Sequence, residues 1–222
     1  MNYFVTGTDT NVGKTLISCA LLHGMAAQGL RVVGMKPVAC DEEGMSEDVR
    51  QLIAASNVLA SRGQINPYHF ERATAPHLAA KFVGVRINLD RIAESYRELV
   101  TQADVVIVEG AGGYLVPLND EQDGADLARL LKLPVILVVG MRLGCLNHAL
   151  LTTRAIAASG MKLAGWVANC VEADMSMLNE NIAALAQRIK APLLGVVPNY
   201  PLTPNVAEVA ACLNCKLLDK GA

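Results

Sequence analysis

The sequence predicts an α/β fold in which helices cover both faces of a parallel β-sheet. Short apolar runs alternate along the chain with longer segments of helical periodicity, which is the order of β-α-β units. The apolar runs are almost continuous rather than alternating, as expected for strands buried on both faces. No stretch has the composition of a linker and no repeat is visible, so residues 1–222 are predicted to form a single domain.

The elements follow one another regularly. A strand over residues 3–5 leads into a glycine-containing loop, and the helix that follows ends at Gly29. Further strands are predicted over residues 31–35, 104–108, 135–139, 163–168 and 193–197. Further helices are predicted over residues 46–56, 88–102, 124–131, 146–158 and 176–189. The segment 41–80 is the least regular, and we expect an insertion of short helices and loops over the sheet edge.

Composition excludes several classes of protein. A hydrophobic fraction of 52% against 18% charged residues excludes disorder. A net charge of −2 without a basic block, together with 4% aromatic residues, gives no support to nucleic-acid binding. The longest charge-free apolar run, residues 133–141, is far shorter than the roughly 20 residues of a membrane helix. The N-terminus lacks the pattern of a signal peptide, so we expect a cytoplasmic protein that binds no membrane.

The six cysteines are scattered without the spacing of a disulfide framework. Cys212 and Cys215 form a lone CxxC pair with no second pair and no nearby histidine. In a reducing compartment we expect all six to be free thiols.

The strongest functional signal is the segment GTDTNVGKT, residues 7–15, which follows the first strand and opens the first helix. In a phosphate-binding loop, glycines let backbone N–H groups turn toward the phosphates. Lys14 supplies a positive charge for the β- and γ-phosphates, and the Thr15 hydroxyl is a ligand for Mg²⁺. One position departs from the standard spacing, since Thr8 stands where glycine is usual and Gly7 lies one residue earlier. The motif in this context predicts a P-loop NTPase-like domain.

Three polar residues are candidates for the chemistry beside this loop. Glu109 ends a buried strand in VVIVEGAGG, where a second Mg²⁺ contact belongs, although a pair with a surface lysine is the alternative. Lys36 ends the second strand and is either a second cation for phosphate or substrate, or a solvated surface lysine. Asp48 is a weaker candidate for Mg²⁺, because acidic residues at a helix start often act as caps.

Two further segments predict ligand contacts. Asn169 ends the strand LAGWVAN, where its amide can pair with adenine, and the guanine-reading pattern Asn-Lys-x-Asp is absent, which favours ATP over GTP. The segment from Val139 to His148 leaves the carboxyl end of a strand and opens a helix at Leu146 or Asn147, so its free N–H groups can bind an anion. The alternative is an ordinary helix start capped by Asn147.

The motifs GTDTNVGKT, KPVA, VEGAGG, VGMRLGCLNHALLT, AGWVANCV and APLLGVVP occur in this order from residue 3 to about residue 200. Together they resemble the dethiobiotin synthetase family. The resemblance implies a homodimer that converts 7,8-diaminononanoate, CO₂ and ATP, with Mg²⁺, into dethiobiotin, ADP and phosphate. A carbamate and a carbamic–phosphoric anhydride are the implied intermediates.

The resemblance also implies roles for single residues. Lys14, Lys36 and Thr10 form the implied catalytic set: Lys36 contacts the γ-phosphate and the carbamate, and Thr10 contacts the diamine. The implied Mg²⁺ ligands are Thr15, Asp48 and Glu109. The residues implied to bind ATP are Asn11, Val12, Gly13, Lys14, Thr15, Leu16, Asp48, Glu109, Gly110, Ala111, Gly112, Asn169, Cys170, Pro198, Asn199, Tyr200 and Asn205. The residues implied to bind the diamine are Thr10, Lys36, Cys40, Leu143, Gly144, Cys145 and Asn147, of which those from 143 to 147 belong to the neighbouring subunit.

Two positions depart from the family pattern. Cys40 stands where relatives have serine, which weakens or removes a hydroxyl contact to substrate, and Cys170 stands where an acidic residue is frequent. A regulatory or partitioning ATPase of the same superfamily is the alternative function. Those proteins carry a signature lysine five residues before the phosphate-loop lysine, and here that position is Asp9. An ATP-dependent amidoligase is disfavoured, because the chain has no room for a glutamine-hydrolysing domain.

Overall fold

The structure is a computed structural model that describes residues 1–41, 44–202 and 204–218. Six strands form a parallel sheet in the order β2-β5-β1-β6-β7-β8. Their bounds are β1 (Asn2–Gly7), β2 (Val32–Met35), β5 (Val105–Gly113), β6 (Val135–Gly140), β7 (Leu163–Asn169) and β8 (Leu193–Val197). A separate parallel pair consists of β3 (Val38–Cys40) and β4 (Tyr68–Phe70).

Helices lie between the strands. They are α1 (Lys14–Ala26), α2 (Glu47–Ala55), α3 (Arg62–Ile65), α4 (Pro76–Phe82), α5 (Leu89–Gln102), α6 (Gly124–Leu131), α7 (Cys145–Ala158), α8 (Leu178–Arg188) and α9 (Val206–Ala211). A 3-10 helix, Cys215–Leu217, follows. Among the described residues, no helix combines the length and the apolar character that crossing a membrane requires.

Neighbouring residues of a strand point to opposite sides of the sheet, and along β5 successive residues are buried, so both faces of the sheet are covered. On β5, Val106 and Val108 belong to one apolar cluster with Ile92 of α5. Val105 and Ile107 belong to another cluster, with residues of α1. The predicted parallel sheet covered on both faces by helices is therefore confirmed.

The predicted strands and helices agree with the structure to within a few residues, except at the longer β5. The insertion lies where it was expected, since α2 packs against the edge strand β2 and Leu52 closes over Gly34. The β3–β4 pair and α9 are not predicted from the sequence. The predicted start of α7 at Leu146 or Asn147 is wrong, because the helix begins at Cys145 after Gly144 in the left-handed region (φ 92°). Asn147 is consequently the third residue of α7 and not its cap.

Parallel strands bring their carboxyl ends to one edge of the sheet. The loops after β1, β2, β5, β6 and β7 therefore meet at this edge. It carries the phosphate loop and the polar residues that the sequence analysis singled out.

Candidate nucleotide and substrate site

The phosphate loop, residues 7–15, presents a row of backbone donors. Asn11 (φ 58°) and Gly13 (φ 85°) adopt left-handed backbone conformations that turn the loop into α1. The first backbone bond at the helix start joins the Ile17 N–H to the Gly13 carbonyl, 3.1 Å apart. Within the described chain, the N–H groups of residues 11–16 donate no hydrogen bond. Consecutive unpaired N–H groups at a helix N-terminus form a site for a phosphate.

Strands β6 and β7 support the loop from the side. The Thr8 N–H donates to the Val138 carbonyl at 3.0 Å, and Asn169 Nδ2 donates to the Val12 carbonyl at 2.8 Å. Gly140 leaves room for Val12, because a Cβ at this position would lie 2.7 Å from Val12 Cγ1. The side chain of the buried Asn169 thus binds the loop through its Nδ2.

Lys36 lies between two carboxylates. Its Nζ is 2.6 Å from Glu109 Oε1 and 2.8 Å from Asp48 Oδ2. Thr15 Oγ1 is 2.8 Å from Asp48 Oδ1 and 2.8 Å from Glu109 Oε1. The Glu109 side chain is fully buried, and that of Lys36 is 6% exposed. The structure therefore joins residues from four elements or loops that the sequence analysis had singled out separately.

Opposite charges in this cluster keep Lys36 and Asp48 ionised. Burial alone would lower the pKa of Lys36, but the charges of Glu109 and Asp48 outweigh burial and raise it above its usual value. Burial opposes ionisation of Asp48 too, yet the Lys36 ammonium and the hydrogen bonds from Lys36 and Thr15 lower its pKa. Lys36 is thus an ammonium and Asp48 a carboxylate.

The chemistry of this cluster suits Mg²⁺. Glu109 Oε2 is buried and has no hydrogen-bond partner among the described residues. Two carboxylates and a hydroxyl are oxygen ligands of the kind that Mg²⁺ prefers, with phosphates and water completing its shell. The part of the chain described by the structure contains no cluster of three or more His, Cys, Asp or Glu residues suited to a metal.

Lys14 is the second buried cation. Its Nζ donates to the Asp9 carbonyl at 3.0 Å. Burial, together with the nearby charge of Lys36, lowers the pKa of Lys14 to about 8, although neighbouring carboxylates counteract part of this effect. Within the loop this ammonium contacts a neutral carbonyl oxygen, and an incoming polyphosphate would offer it an anionic partner.

These groups open into a cleft of about 780 Å³. Cys40 lies on its wall, and burial together with the Asp41 charge raises the pKa of its thiol to about 11, so the thiol stays protonated. The predicted site residues that line the cleft are Thr10, Asn11, Gly13, Lys14, Thr15, Lys36, Cys40, Asp48, Glu109, Ala111 and Gly112. The cleft is also lined by Asp41, Glu47, Val116 and residues 73–76. These residues were not predicted, because no motif in the sequence marks them.

The chain matches the family model described as AAA domain over residues 1–207. It is 56% identical to the ATP-dependent dethiobiotin synthetase BioD of Nitrosospira multiformis, over 96% of this chain and 94% of that protein. It is 52% identical to the ATP-dependent dethiobiotin synthetase BioD of Aromatoleum aromaticum, over 95% and 96% of the two chains. The chain belongs to the dethiobiotin synthetase family.

Solved structures with a similar fold are more distant in sequence. The MinD cell division protein of Aquifex aeolicus gives a TM-score of 0.62 at 11% identity, over 100% of this chain and 98% of that one. The septum site-determining protein MinD of Pyrococcus horikoshii, complexed with Mg-ADP, gives 0.56 at 15% identity, over 98% and 89%. These similarities show the P-loop NTPase fold that the family shares.

Other predicted residues lie outside the cleft. Gly110 faces Phe4, and Leu16 packs against an apolar cluster. After β7, the Cys170 N–H donates to the Val197 carbonyl at 2.9 Å, and Asn199 Nδ2 donates to the Cys170 carbonyl at 3.1 Å. Pro198 and Tyr200 flank Asn199 in the segment after β8.

Two predicted residues have side chains engaged elsewhere. Asn205 caps α9 by accepting the Ala207 N–H at 2.9 Å. The Cys145 side chain is buried beside α8, and its N–H donates to the Arg142 carbonyl at 3.0 Å. A ligand at the start of α7 would therefore meet the exposed Leu143, Gly144 and Asn147 rather than the Cys145 sulfur or N–H.

Proposed function

We propose that this chain is an ATP-dependent dethiobiotin synthetase, a cyclo-ligase that carboxylates 7,8-diaminononanoate with CO₂ and closes the ureido ring. ATP becomes ADP and phosphate. One observation carries the proposal: Lys14, Lys36, Thr15, Asp48 and Glu109 converge beside a row of unpaired N–H groups in one cleft. Relatives of this name at 49–56% identity support it.

The reaction needs cations more than a protein nucleophile. An amine of the substrate adds to CO₂ and loses a proton, which gives an anionic carbamate. A carbamate oxygen attacks the γ-phosphorus of ATP, and ADP leaves. The second amine then attacks the carbonyl carbon of the anhydride, and phosphate leaves as the ring closes. Bringing two anions together requires preorganised positive charge, which Lys14 and Lys36 supply.

The lining of the cleft suggests which part of the substrates each of these residues would contact. Lys14 and the N–H groups of residues 11–16 would hold the β- and γ-phosphates. Lys36, across from the loop, would contact the γ-phosphate and the carbamate. Thr10 and Cys40 line the same cleft and would contact the diamine.

Thr15, Asp48 and Glu109 would hold Mg²⁺. The ion, when bound, supplies positive charge that neutralises the phosphate oxygens. Support for this assignment comes from the oxygen donors around Thr15 Oγ1 and from the unpartnered Glu109 Oε2.

The adenine would lie at the ends of β7 and β8. Asn169 Oδ1 can accept from the adenine amino group, while Cys170, Pro198, Asn199 and Tyr200 form the adjoining segment. A contact of Asn205 with the ribose would use its backbone, or would require its side chain to leave the α9 cap.

We also propose a homodimer in which the start of α7 from one subunit completes the diamine site of the other. The substrate carboxylate lies at the far end of an aliphatic chain from the reacting amines, so it needs a separate anion site. The N–H groups of Leu146 and Asn147 donate no hydrogen bond within the described residues, which leaves them available for a carboxylate. The single domain over residues 1–222 and the cytoplasmic location stay predictions.

The test is ATP turnover by the purified protein with and without 7,8-diaminononanoate and bicarbonate, with dethiobiotin followed by mass spectrometry. A synthetase forms ADP and dethiobiotin in equal amounts, and only when the diamine is present. A regulatory ATPase would hydrolyse ATP at a rate that ignores the diamine, and this result would reject the proposal.

A further inference from the structure

An arginine outside the proposed machinery contacts the phosphate loop. Arg142 lies in the turn between β6 and α7, and its guanidinium Nη2 is 2.5 Å from Asp9 Oδ2. The two residues are 133 positions apart in the sequence. Neither side chain has a part in the function proposed above, and both are partly shielded from solvent, with 32% and 47% of their side chains exposed.

Asp9 is held at three of its atoms. Its Oδ1 accepts the Thr10 N–H at 2.7 Å, its backbone carbonyl accepts Lys14 Nζ at 3.0 Å, and its Oδ2 faces Arg142. Asp9 therefore sits between the diamine-facing Thr10 and the phosphate-binding Lys14. Any movement of Asp9 would displace both.

Arg142 is anchored on both sides. The preceding residue, Met141, is buried, and its N–H donates to the Asn169 carbonyl at 2.7 Å. The Arg142 carbonyl accepts the Cys145 N–H at 3.0 Å. The turn can thus present the guanidinium from a fixed position.

The charge of Asp9 is a disadvantage in this loop. It is the loop's one acidic residue, and a carboxylate beside a polyphosphate site repels the ligand. Its field reaches Lys14, where it offsets a small part of the lowering of the pKa that burial and the Lys36 charge cause. A matched cation removes the repulsion and keeps the loop's shape.

We propose that Arg142 is a positioning residue of the phosphate loop, which neutralises Asp9 and fixes it so that Thr10 and Lys14 are placed for the nucleotide. This inference rests on the proposed use of ATP. It predicts that losing Arg142 harms nucleotide binding through Asp9, and that removing the Asp9 charge suppresses the defect.

The experiment is a double-mutant cycle with Arg142→Gln, Asp9→Asn and the double variant. Dissociation constants for Mg-ADP and for the non-hydrolysable Mg-AMP-PNP are measured by calorimetry at low and high salt. Asp9→Asn keeps an Oδ1 for the Thr10 N–H but loses the charge. Arg86→Gln is the control, because Arg86 forms an exposed pair with Glu121 away from the cleft.

We expect Arg142→Gln to weaken AMP-PNP roughly tenfold and ADP by less, since AMP-PNP carries more negative charge. The defect shrinks at high salt. Arg142→Lys restores part of the affinity, the double variant binds like Asp9→Asn, and Arg86→Gln binds like the wild type. Thermal unfolding changes little in all variants, as is typical of partly exposed ion pairs.

Additive effects of the two substitutions, or unchanged affinity in Arg142→Gln, would overturn the inference. If Arg142→Gln does not fold, Arg142→Lys and Asp9→Asn still test it. A wild-type protein that binds neither nucleotide would instead refute the proposed function, so the two failures are distinguishable.

Discussion

Lys36 determines the charge balance of the cleft, because its ammonium contacts both Asp48 and the buried Glu109. Replacing Lys36 with alanine removes the ammonium that contacts the buried Glu109 side chain, which we expect to lower the free energy of unfolding by about 3 kcal/mol. Turnover should fall by roughly a hundredfold or more, while ATP affinity changes only a few-fold, since the charge acts mainly as the carbamate meets the γ-phosphate. Denaturation, nucleotide titration and steady-state kinetics measure the three effects. A collapse of ATP binding with turnover preserved at saturation would make Lys36 a nucleotide anchor instead.

Lys14 gives the nucleotide affinity a pH dependence of definite sign. With a pKa of about 8 in the unliganded protein, Lys14 loses its charge as the pH rises past 8, and the charged form is the one that phosphates attract. We therefore expect ADP affinity to fall by up to tenfold per pH unit above about pH 8, with uptake of a proton on binding. Calorimetry between pH 7 and 10, in buffers of different ionisation enthalpy, measures both.

The Lys14→Arg variant is the matched control for this pH dependence. A guanidinium stays charged throughout the range, so its profile should be flat even where binding is weaker. Parallel profiles for the two proteins would show that another group titrates. Without nucleotide, the lowered pKa penalises the folded state below about pH 8, and stability from this group rises between pH 8 and its unfolded value of 10.5.

The sequence predicts which residues form the site better than it predicts the contacts between them. Lys14 and Thr15 follow from a motif, and Glu109 and Lys36 follow from their places at strand ends, which a parallel sheet brings to one edge. Sequence spacing does not show that Lys36 lies between Glu109 and Asp48 or that Arg142 reaches Asp9. Both depend on how far a long side chain extends across the assembled loops.

At the scale of elements, too, local sequence patterns predict strands and helices, whereas a pairing between segments distant in the sequence is not predicted. Continuous apolar runs predict the strands of the main sheet, and helical periodicity predicts the helices. The three-residue strands β3 and β4 carry no such signal, because each exists only by pairing with the other across 30 positions, as Val38 does with Tyr68. Their pairing follows Lys36 and places Cys40 on the cleft wall.

The phosphate loop keeps its shape partly because β6 makes room for it. Gly140→Ala would place a Cβ 2.7 Å from Val12 Cγ1 and displace the loop without touching a nucleotide. We expect ADP affinity to fall by roughly tenfold, with stability reduced by about 1–3 kcal/mol, as in other overpacked sites. Calorimetry and denaturation give the two quantities.

Gly63→Ala in α3 is the control for the loop prediction, since a Cβ there meets nothing within 4 Å. It should leave ADP binding unchanged. If Gly140→Ala binds ADP as tightly as this control does, the loop does not depend on β6 for its shape.

At the scale of the whole molecule, the start of α7 is an exposed surface that the described part of the chain does not cover. Leu143 is 94% exposed, and a Cβ on Gly144 would meet nothing within 4 Å. A side chain at Gly144 therefore meets no steric obstacle among the described residues, and its cost is the left-handed backbone, about 1–2 kcal/mol. A large loss of activity in Gly144→Trp would come from whatever docks on this surface.

The shared site can be tested by mixing inactive subunits. Lys14→Ala removes the phosphate-binding half of a site, and Gly144→Trp removes the half contributed by the neighbour. In the heterodimer, one site combines both defects and the other combines both intact halves, so a mixture of the two inactive proteins should regain about a quarter of wild-type activity per subunit after random exchange. Mass spectrometry of the intact dimer verifies the exchange, and mixing two batches of Lys14→Ala protein is the control that should recover nothing. Full activity of a monomer, or no recovery despite proven exchange, would show that each chain holds the diamine on its own and that α7 meets the substrate in some other way.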